Sequence, residues 1–274
     1  MISNSYCTST ADPNRILWAQ SVEAMLIAEI AISIRADRQS KLRPEKPLLR
    51  EKVQGQLREA LSAVVGVAAF AMEAYDRETA RHQIRVATIA CAIARELRWD
   101  EEQVLALRVA SLLHDVGKMT VPQEILNKPG RLNAEESGQV KLHAEAGYII
   151  LKEIEFPWPI AEVVRQHHER MDGSGYPRGL KGDDVLPMAR VLAIADVLDA
   201  MTSARSYRPP LALEVVLVEL EEQAGTLLDA GMVKRCASLF REKQCELTRT
   251  FSATDTAGVL HSYLNNSRPL GAFV

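Results

Sequence analysis

Apolar residues recur at intervals of three and four along most of the chain, the spacing that places them on one face of an α-helix. One clear example begins near Gln54, where Leu57, Leu61, Val64 and Met72 share a face. No stretch of useful length shows the alternation that is typical of a strand. The pattern therefore predicts an all-α fold, with further helices over 14–39, 82–97, 101–113, 134–155, 159–169, 187–203, 211–228 and 230–247.

Two segments interrupt the helical pattern. The segment 41–50, KLRPEKPLLR, places two prolines among many charged residues, which predicts a linker. The segment 171–184, MDGSGYPRGLKGDD, is rich in glycine, proline and aspartate, so we expect an irregular loop there. We therefore divide the chain into an N-terminal helical extension with a linker (1–50), a main helical domain (51–250) and a polar C-terminal tail (251–274).

The composition is typical of a globular protein without a membrane span. The 274 residues carry a net charge of -3, with 47% apolar and 25% charged residues, which argues against a basic nucleic-acid-binding protein. Glu23 and Glu29 interrupt the apolar segment near the N-terminus, which also lacks the features of a signal peptide. The four cysteines form no Cys-x-x-Cys pair and are interpreted as reduced thiols, so we expect a cytoplasmic protein.

The histidines carry the strongest chemical signal. Of the six histidines, His82 lies on the apolar face of its predicted helix, and Glu78 lies one turn earlier on the same face. His114 and Asp115 follow each other at the end of another apolar helix. Taken alone, each pair has an ordinary structural interpretation, either a core histidine capped by a glutamate or a salt-bridged helix end.

Three more histidines and one aspartate follow the same inward-facing pattern. His143 has apolar neighbours, the pair His167-His168 closes a helix before the glycine-rich loop, and Asp196 lies in the apolar run RVLAIADVLDAM. Five imidazoles and three carboxylates on separate predicted helices share no single structural explanation. Imidazole and carboxylate without thiolate suit catalytic iron, manganese or zinc. The number of groups exceeds what one ion binds, which favours two or three ions and phosphoryl chemistry.

The motifs around these residues resemble the HD-GYP family, a group of cyclic di-GMP phosphodiesterases within the HD metallohydrolase superfamily. The triplet Gly175-Tyr176-Pro177 and the pair His167-His168 are specific to that family. The resemblance implies an HD-type helical bundle with a short N-terminal helical extension. The motifs, in order between about Leu57 and Phe240, are LLHDVGK, ILNKPGRL, HAEAGYIIL, HHERMDGSGYPRGLKGDD, MARVLAIADVLDAMTSARSYRP and GTLLDAGMV.

The resemblance implies a role for each group of the set. A glutamate four residues before the first ligand, as Glu78 is here, is similar to the trinuclear subtype of the family. The alternative is a dinuclear site in which Glu78 accepts a hydrogen bond from His82. The implied metal ligands besides Glu78 are His82, His114, Asp115, His143, His167, His168 and Asp196.

The resemblance also implies catalytic and substrate-binding residues. Asp115 would bridge two ions, and Lys118 would donate to the scissile phosphate or to the leaving oxygen. The alternative for Lys118 is a salt bridge to a ligand carboxylate. The implied contacts with the substrate come from Arg205, Arg208, Tyr176 and Lys128.

We therefore expect a phosphodiesterase that uses two or three divalent ions, iron or manganese, to hydrolyse cyclic di-GMP to pGpG, GMP or both by attack of metal-bound hydroxide. Two alternatives stay open: hydrolysis of another cyclic dinucleotide or nucleotide phosphate, and a non-catalytic nucleotide-binding signalling scaffold. The resemblance implies docking of a diguanylate cyclase on the loop 171–184. The first 50 residues are too few for a receiver domain, so we interpret them as an element for homodimerisation or partner docking.

Overall fold

The computed structural model describes residue 72 and residues 75–203 and 209–242. The predicted extension 1–50, the tail 251–274, the two domain boundaries, Arg205 and Arg208 lie outside these residues. The described part of the chain is helical and contains no strand. Its helices are α1 (Arg77–Glu96), α2 (Glu101–Leu113), α3 (Gln123–Leu126), α4 (Ala134–Lys141), α5 (His143–Leu151), α6 (Ile160–Gln166), α7 (Pro187–Thr202), α8 (Leu213–Glu222) and α9 (Ala230–Glu242), with 3-10 helices at Val116–Thr120 and Gly182–Asp184.

Local sequence signals set the start of several helices. Asp76 accepts hydrogen bonds from two backbone N–H groups in the first turn of α1. Asp100 and Asn133 form capping boxes at the starts of α2 and α4. Pro187 is the first residue of α7, where its missing N–H costs no helical hydrogen bond. These ends are therefore encoded next to the helices themselves.

Helices α1, α2 and α7 form the centre of the bundle. Helix α1 packs against both α2 and α7. Val86 and Ile93 of α1, Leu107 of α2 and Leu192 of α7 are completely buried. No helix in the described residues is long and apolar enough to cross a lipid bilayer. The apolar packing of these three helices fixes the positions of the polar side chains that they also carry.

The prediction of one helix over 134–155 is wrong. The structure contains two helices there, α4 and α5, which are separated at the exposed residue Leu142. The hydrophobic period continues through the break, which is why the sequence pattern does not show it. The predicted helix 211–228 is also too long, because α8 ends at Glu222 and Gly225 adopts a positive φ of 79° in the turn that follows.

A close backbone contact joins α5 to the 3-10 helix after α2. A Cβ atom added to Gly117 would lie 2.0 Å from the carbonyl oxygen of His143 and 2.6 Å from the backbone nitrogen of Gly147. Only glycine leaves room for this approach. Because Asp115 lies two residues before Gly117, the contact brings Asp115 and His143 together.

We expect Gly117→Ala to lower the free energy of unfolding by at least about 1–3 kcal/mol, because the added methyl group must displace the backbone of α5. Urea unfolding followed by circular dichroism measures this change. The matched control is Gly138→Ala in α4, where an added Cβ meets no atom within 4 Å. There alanine should leave the stability unchanged or raise it by about 0.5–1 kcal/mol. Equal unfolding midpoints for Gly117→Ala and the wild type would contradict the requirement for glycine.

Candidate metal centre

Three histidines are oriented by backbone carbonyl groups at helix ends. His114, His143 and His167 each direct Nδ1 at the carbonyl oxygen three residues earlier, over 2.5–2.7 Å. The last carbonyl groups of a helix have no partner within the helix, so they are available to these side chains. A carbonyl oxygen only accepts, so Nδ1 carries the proton and Nε2 of the neutral ring keeps its lone pair. The acceptors are the carbonyl groups of Ser111, Val140 and Val164.

These Nε2 atoms converge on one buried region. The Nε2 atoms of His143 and His167 lie 3.3 Å apart, and the buried Nε2 of His114 has no hydrogen-bond partner. Burial lowers the pKa of both His143 and His167, so neither ring supplies a proton between them near neutral pH. Two nitrogen atoms that bind one ion at about 2.1 Å lie roughly 3.0–3.4 Å apart. The arrangement therefore fits a cation between facing lone pairs.

The candidate metal-binding side chains form two groups. His82, His114 and Asp115 offer atoms that all lie within 4.8 Å of one another, and so do His143, His167 and His168. We call these the first and the second cluster. Every residue of both clusters belongs to the set that the sequence predicted as metal ligands.

Two aspartates connect the clusters. Asp115 places Oδ1 3.4 Å from Nε2 of His143 and Oδ2 3.3 Å from Nε2 of His114. Asp196 places Oδ1 3.0 Å from Nε2 of His82 and Oδ2 3.9 Å from Nδ1 of His168. Each carboxylate thus presents one oxygen to each cluster, the arrangement that a shared ligand of two ions requires.

Both aspartates are ionised in this setting. Burial alone would raise the pKa of Asp115, but the charge of Lys118 outweighs it and holds the pKa well below its usual value. At Asp196, burial would likewise raise the pKa. The hydrogen bond from His82 and its charge outweigh burial and hold the pKa well below its usual value. The site therefore offers two carboxylates and several neutral imidazoles, a donor set that suits a divalent transition-metal ion.

His82 differs from the other histidines because carboxylates face both of its nitrogen atoms. Its Nδ1 donates to Oδ2 of Asp199 over 2.7 Å, and its Nε2 lies 3.0 Å from Oδ1 of Asp196. Burial lowers the pKa of His82, but the hydrogen bonds to Asp196 and Asp199 outweigh it and raise the pKa to about 9. Without metal, His82 is therefore protonated near neutral pH, and an ion that binds Nε2 must displace a proton.

The structure does not bring Glu78 into either cluster. Its side chain is 51% exposed, and Oε1 accepts a hydrogen bond from Nη2 of Arg85 at 3.2 Å. The acceptor for Nδ1 of His82 is Asp199, so the alternative in which Glu78 accepts a hydrogen bond from His82 is wrong. The physical reason is that Arg85 lies one turn after His82 and pairs with the carboxylate of Glu78.

The remaining predicted residues divide into two sets. The amine of Lys118 lies 2.6 Å from Oδ2 of Asp115, and the ring of Tyr176 packs 4.7 Å from the ring of His168. Both residues therefore border the clusters. Nζ of Lys128 instead lies 2.7 Å from both carboxylate oxygens of Glu136, and no contact with a cluster is seen for it in the described residues. The roles of Arg205 and Arg208 stay predictions.

A buried glutamate holds the glycine-rich loop beside the second cluster. The carboxylate of Glu169 is buried and accepts the backbone N–H groups of Arg178 and Leu180, at 2.7 and 3.0 Å. The backbone N–H of Tyr176 donates to the carbonyl of His168 at 3.2 Å. These bonds fold the loop back onto the end of α6, which places the ring of Tyr176 against His168.

Asp199, Arg85 and Glu169 were not predicted from the sequence. Asp199 follows Asp196 by three residues, and Arg85 follows His82 by the same interval, so each pair shares a helix face. That spacing indicates that Asp199 and Arg85 lie beside predicted site residues. Glu169 gave no local signal, because its partners lie nine and eleven residues away in an irregular loop.

A model of the HD domain matches residues 67–232, more than half of the chain. The chain belongs to the HD domain family. A curated relative, the cyclic di-GMP phosphodiesterase response regulator RpfG of Xanthomonas campestris, is 35% identical over 208 residues, 75% of this chain and 53% of that protein. The 3'3'-cGAMP-specific phosphodiesterase 2 of Vibrio cholerae is 39% identical over 180 residues, 65% of this chain and 34% of that protein. The chain thus spans about half of the length of RpfG and about a third of the length of the phosphodiesterase from Vibrio cholerae.

The solved structures confirm the HD-domain fold. The structure of Bd1817, an HDG"Y"P protein from Bdellovibrio bacteriovorus, matches with a TM-score of 0.52 at 16% identity. The match covers 85% of this chain and 74% of that chain. The predicted all-α, HD-type bundle is therefore correct.

The raised pKa of His82 predicts how the metal-free HD domain responds to pH. A group whose pKa rises from 6.5 to about 9 on folding contributes stability that is complete below pH 6.5 and disappears as the pH passes 9. The protein should therefore lose stability over this interval, and His82→Gln should lose less. Urea unfolding in the presence of a chelator measures both proteins. The same pH dependence in both would show that the carboxylates around His82 do not hold its proton.

Proposed function

We propose that this chain is a metal-dependent phosphodiesterase that hydrolyses cyclic di-GMP in the cytoplasm. The observation that carries the proposal is the convergence of neutral histidine nitrogens and two ionised, shared carboxylates in one buried site. The 35% identical relative RpfG is a cyclic di-GMP phosphodiesterase response regulator, which supports the choice of cyclic di-GMP. The pattern of Gly175, Tyr176 and Pro177 beside His167 and His168 supports it as well.

The proposed cofactors are two divalent ions, iron or manganese, with one ion at each cluster. Bound ions of this type polarise a phosphate and lower the pKa of water to about 7. Asp115 and Asp196 would be shared between the two positions because each presents one oxygen to each cluster. Imidazole and carboxylate ligands without thiolate are compatible with iron or manganese. The pairing of Glu78 with Arg85 gives no support to a third ion.

Lys118 is the proposed donor to the reacting phosphate. Its amine lies 2.6 Å from Asp115, and its side chain is 20% exposed, so it lies where the buried site meets solvent. A primary ammonium group is a compact charge that stabilises the negative charge developing on a phosphate or leaving oxygen. Asp115 holds the amine at this place until a phosphate oxygen replaces the carboxylate as its partner.

The substrate and partner surfaces complete the proposal. Tyr176 offers an aromatic face beside His168, suited to stacking with a guanine base. Arg205 and Arg208 would pair with phosphate or guanine groups. Lys128, which pairs with Glu136 in the structure, would have to leave this partner to contact the substrate. Glu169 fixes the loop 171–184 in one shape, which suits docking of a diguanylate cyclase. The segment 1–50 is proposed to support homodimerisation.

A second candidate substrate has its own support. The relative from Vibrio cholerae, at 39% identity, is named a 3'3'-cGAMP-specific phosphodiesterase. This molecule shares the cyclic phosphodiester ring and one guanine base with cyclic di-GMP, so the same metal centre could serve both. The two substrates differ in one base, so the chemistry of the metal centre gives no basis for choosing between them.

We expect protein purified without oxygen to bind two ions per chain and to convert cyclic di-GMP to pGpG, GMP or both. Elemental analysis counts the ions, and chromatography follows parallel reactions with cyclic di-GMP and 3'3'-cGAMP. A variant that combines His114→Ala and Asp115→Ala should lose both metal and turnover, because it removes a ligand and a shared carboxylate.

The outcomes of this experiment separate the hypotheses. If 3'3'-cGAMP is hydrolysed faster than cyclic di-GMP, then 3'3'-cGAMP is the preferred substrate and the choice of cyclic di-GMP is wrong. Bound metal without turnover of either dinucleotide would favour another nucleotide phosphate. A wild-type protein without metal and without turnover would overturn the enzymatic proposal and favour the non-catalytic scaffold.

Substitution of Lys118 should separate catalysis from metal binding. We expect Lys118→Met to lower kcat by about 10²–10³, the usual effect of removing one donor to developing charge. Its metal affinity should stay the same or increase, because the positive charge beside Asp115 is gone. Lys152→Met, at an exposed lysine paired with Glu153, is the control. Loss of metal in Lys118→Met would show instead that Lys118 stabilises the metal-binding site.

A further inference from the structure

A chain of charged side chains extends from His82 to the surface of the protein. The carboxylate of Asp199 is 2% exposed, and its Oδ2 accepts from Nδ1 of His82 at 2.7 Å. Its Oδ1 accepts from Nε of Arg85 at 2.7 Å. Arg85 also donates from Nη2 to Glu78 at 3.2 Å. The order of contacts is therefore His82, Asp199, Arg85 and Glu78, with the last side chain half exposed.

Asp199 is fixed in orientation by several donors. Besides His82 and Nε of Arg85, it accepts from Nη2 of Arg85 at 3.1 Å and from the hydroxyl of Ser203 at 3.2 Å. A carboxylate held by donors on both oxygens cannot rotate without breaking several hydrogen bonds. The ring of His82 is therefore held with Nδ1 toward Asp199 and Nε2 toward Asp196 and toward the other two residues of the first cluster.

We propose that Asp199 is a positioning residue for His82, that Arg85 holds Asp199, and that Glu78 acts only through Arg85. This inference rests on the proposed metal-dependent function. A carboxylate behind a ligating imidazole fixes the tautomer and increases the basicity of the ligating nitrogen. Metal affinity therefore depends on Asp199 most directly, on Arg85 through Asp199, and on Glu78 least.

The graded exposure of the chain supports this order. The side chains of Asp199, Arg85 and Glu78 are 2%, 12% and 51% exposed. A contact screened by solvent contributes less than a buried one. If Glu78 were a metal ligand, the order of the effects on metal binding would be reversed. Loss of Glu78 would then remove an ion, whereas loss of Arg85 would not.

The test compares Asp199→Asn, Arg85→Met and Glu78→Gln with the wild type. Elemental analysis counts the ions, and competition with a chromogenic chelator measures the affinity for Mn²⁺. We expect Asp199→Asn to weaken binding of one ion by about 10–100-fold. Arg85→Met should have a smaller effect, and Glu78→Gln should change the affinity by less than about fivefold.

A matched control separates positioning from a general loss of stability. Asp229 pairs with Nη1 of Arg190 at 3.2 Å, so Asp229→Asn removes a carboxylate charge from another arginine pair. Urea unfolding of all variants reports their stability. In protein with ¹⁵N-labelled histidine and bound Zn²⁺, the Nδ1–H resonance of His82 should shift in Asp199→Asn and stay in place in Asp229→Asn. If Asp199→Asn does not fold, Arg85→Met carries the same test.

Two results would overturn the inference. One is loss of one ion per chain in Glu78→Gln with full metal content in Arg85→Met, which would make Glu78 a ligand. The other is wild-type affinity and an unshifted His82 resonance in Asp199→Asn. A wild-type protein that binds no metal would instead contradict the proposed function on which the inference rests.

Discussion

The metal centre depends on hydrogen bonds from imidazole Nδ1 atoms to carbonyl groups at helix ends. His114, His143 and His167 each take a carbonyl group at a helix end as the acceptor for Nδ1, and each then points Nε2 into the same region. The backbone thus sets both the direction and the tautomer of three rings. No other protein group has to supply this orientation, so the geometry follows from where the helices end.

Such an arrangement is costly without a cation. Buried lone pairs 3.3 Å apart and buried carboxylates lose the hydration that they have in the unfolded chain. Lys118 offsets part of this cost at Asp115, and Arg85 does so at Asp199. The apolar core of α1, α2 and α7 holds the groups together despite the cost. An ion at each cluster would replace the remaining repulsion by attraction, which links the stability of the site to its occupancy.

Backbone packing decides which groups meet. Asp115 and His143 belong to segments separated by 28 positions, and the contact of Gly117 with α5 brings them within 3.4 Å. The loop 171–184 is placed in the same way, since Glu169 binds its backbone and sets Tyr176 against His168. Both contacts involve main-chain atoms, whose positions are not encoded by hydrophobic periodicity.

The sequence by itself predicted the helical class and the five histidines and two aspartates of the candidate site. It could do so because helical periodicity is local, and because polar groups on apolar faces need partners. Only the tertiary structure decided that His82 pairs with Asp199 and that Glu78 turns to Arg85. Glu78 lies one turn before His82 and two turns before Arg85 on α1, so spacing along the helix alone does not choose between these two partners. The choice between them depends on how α1 packs against α7, and that packing is a property of the folded chain.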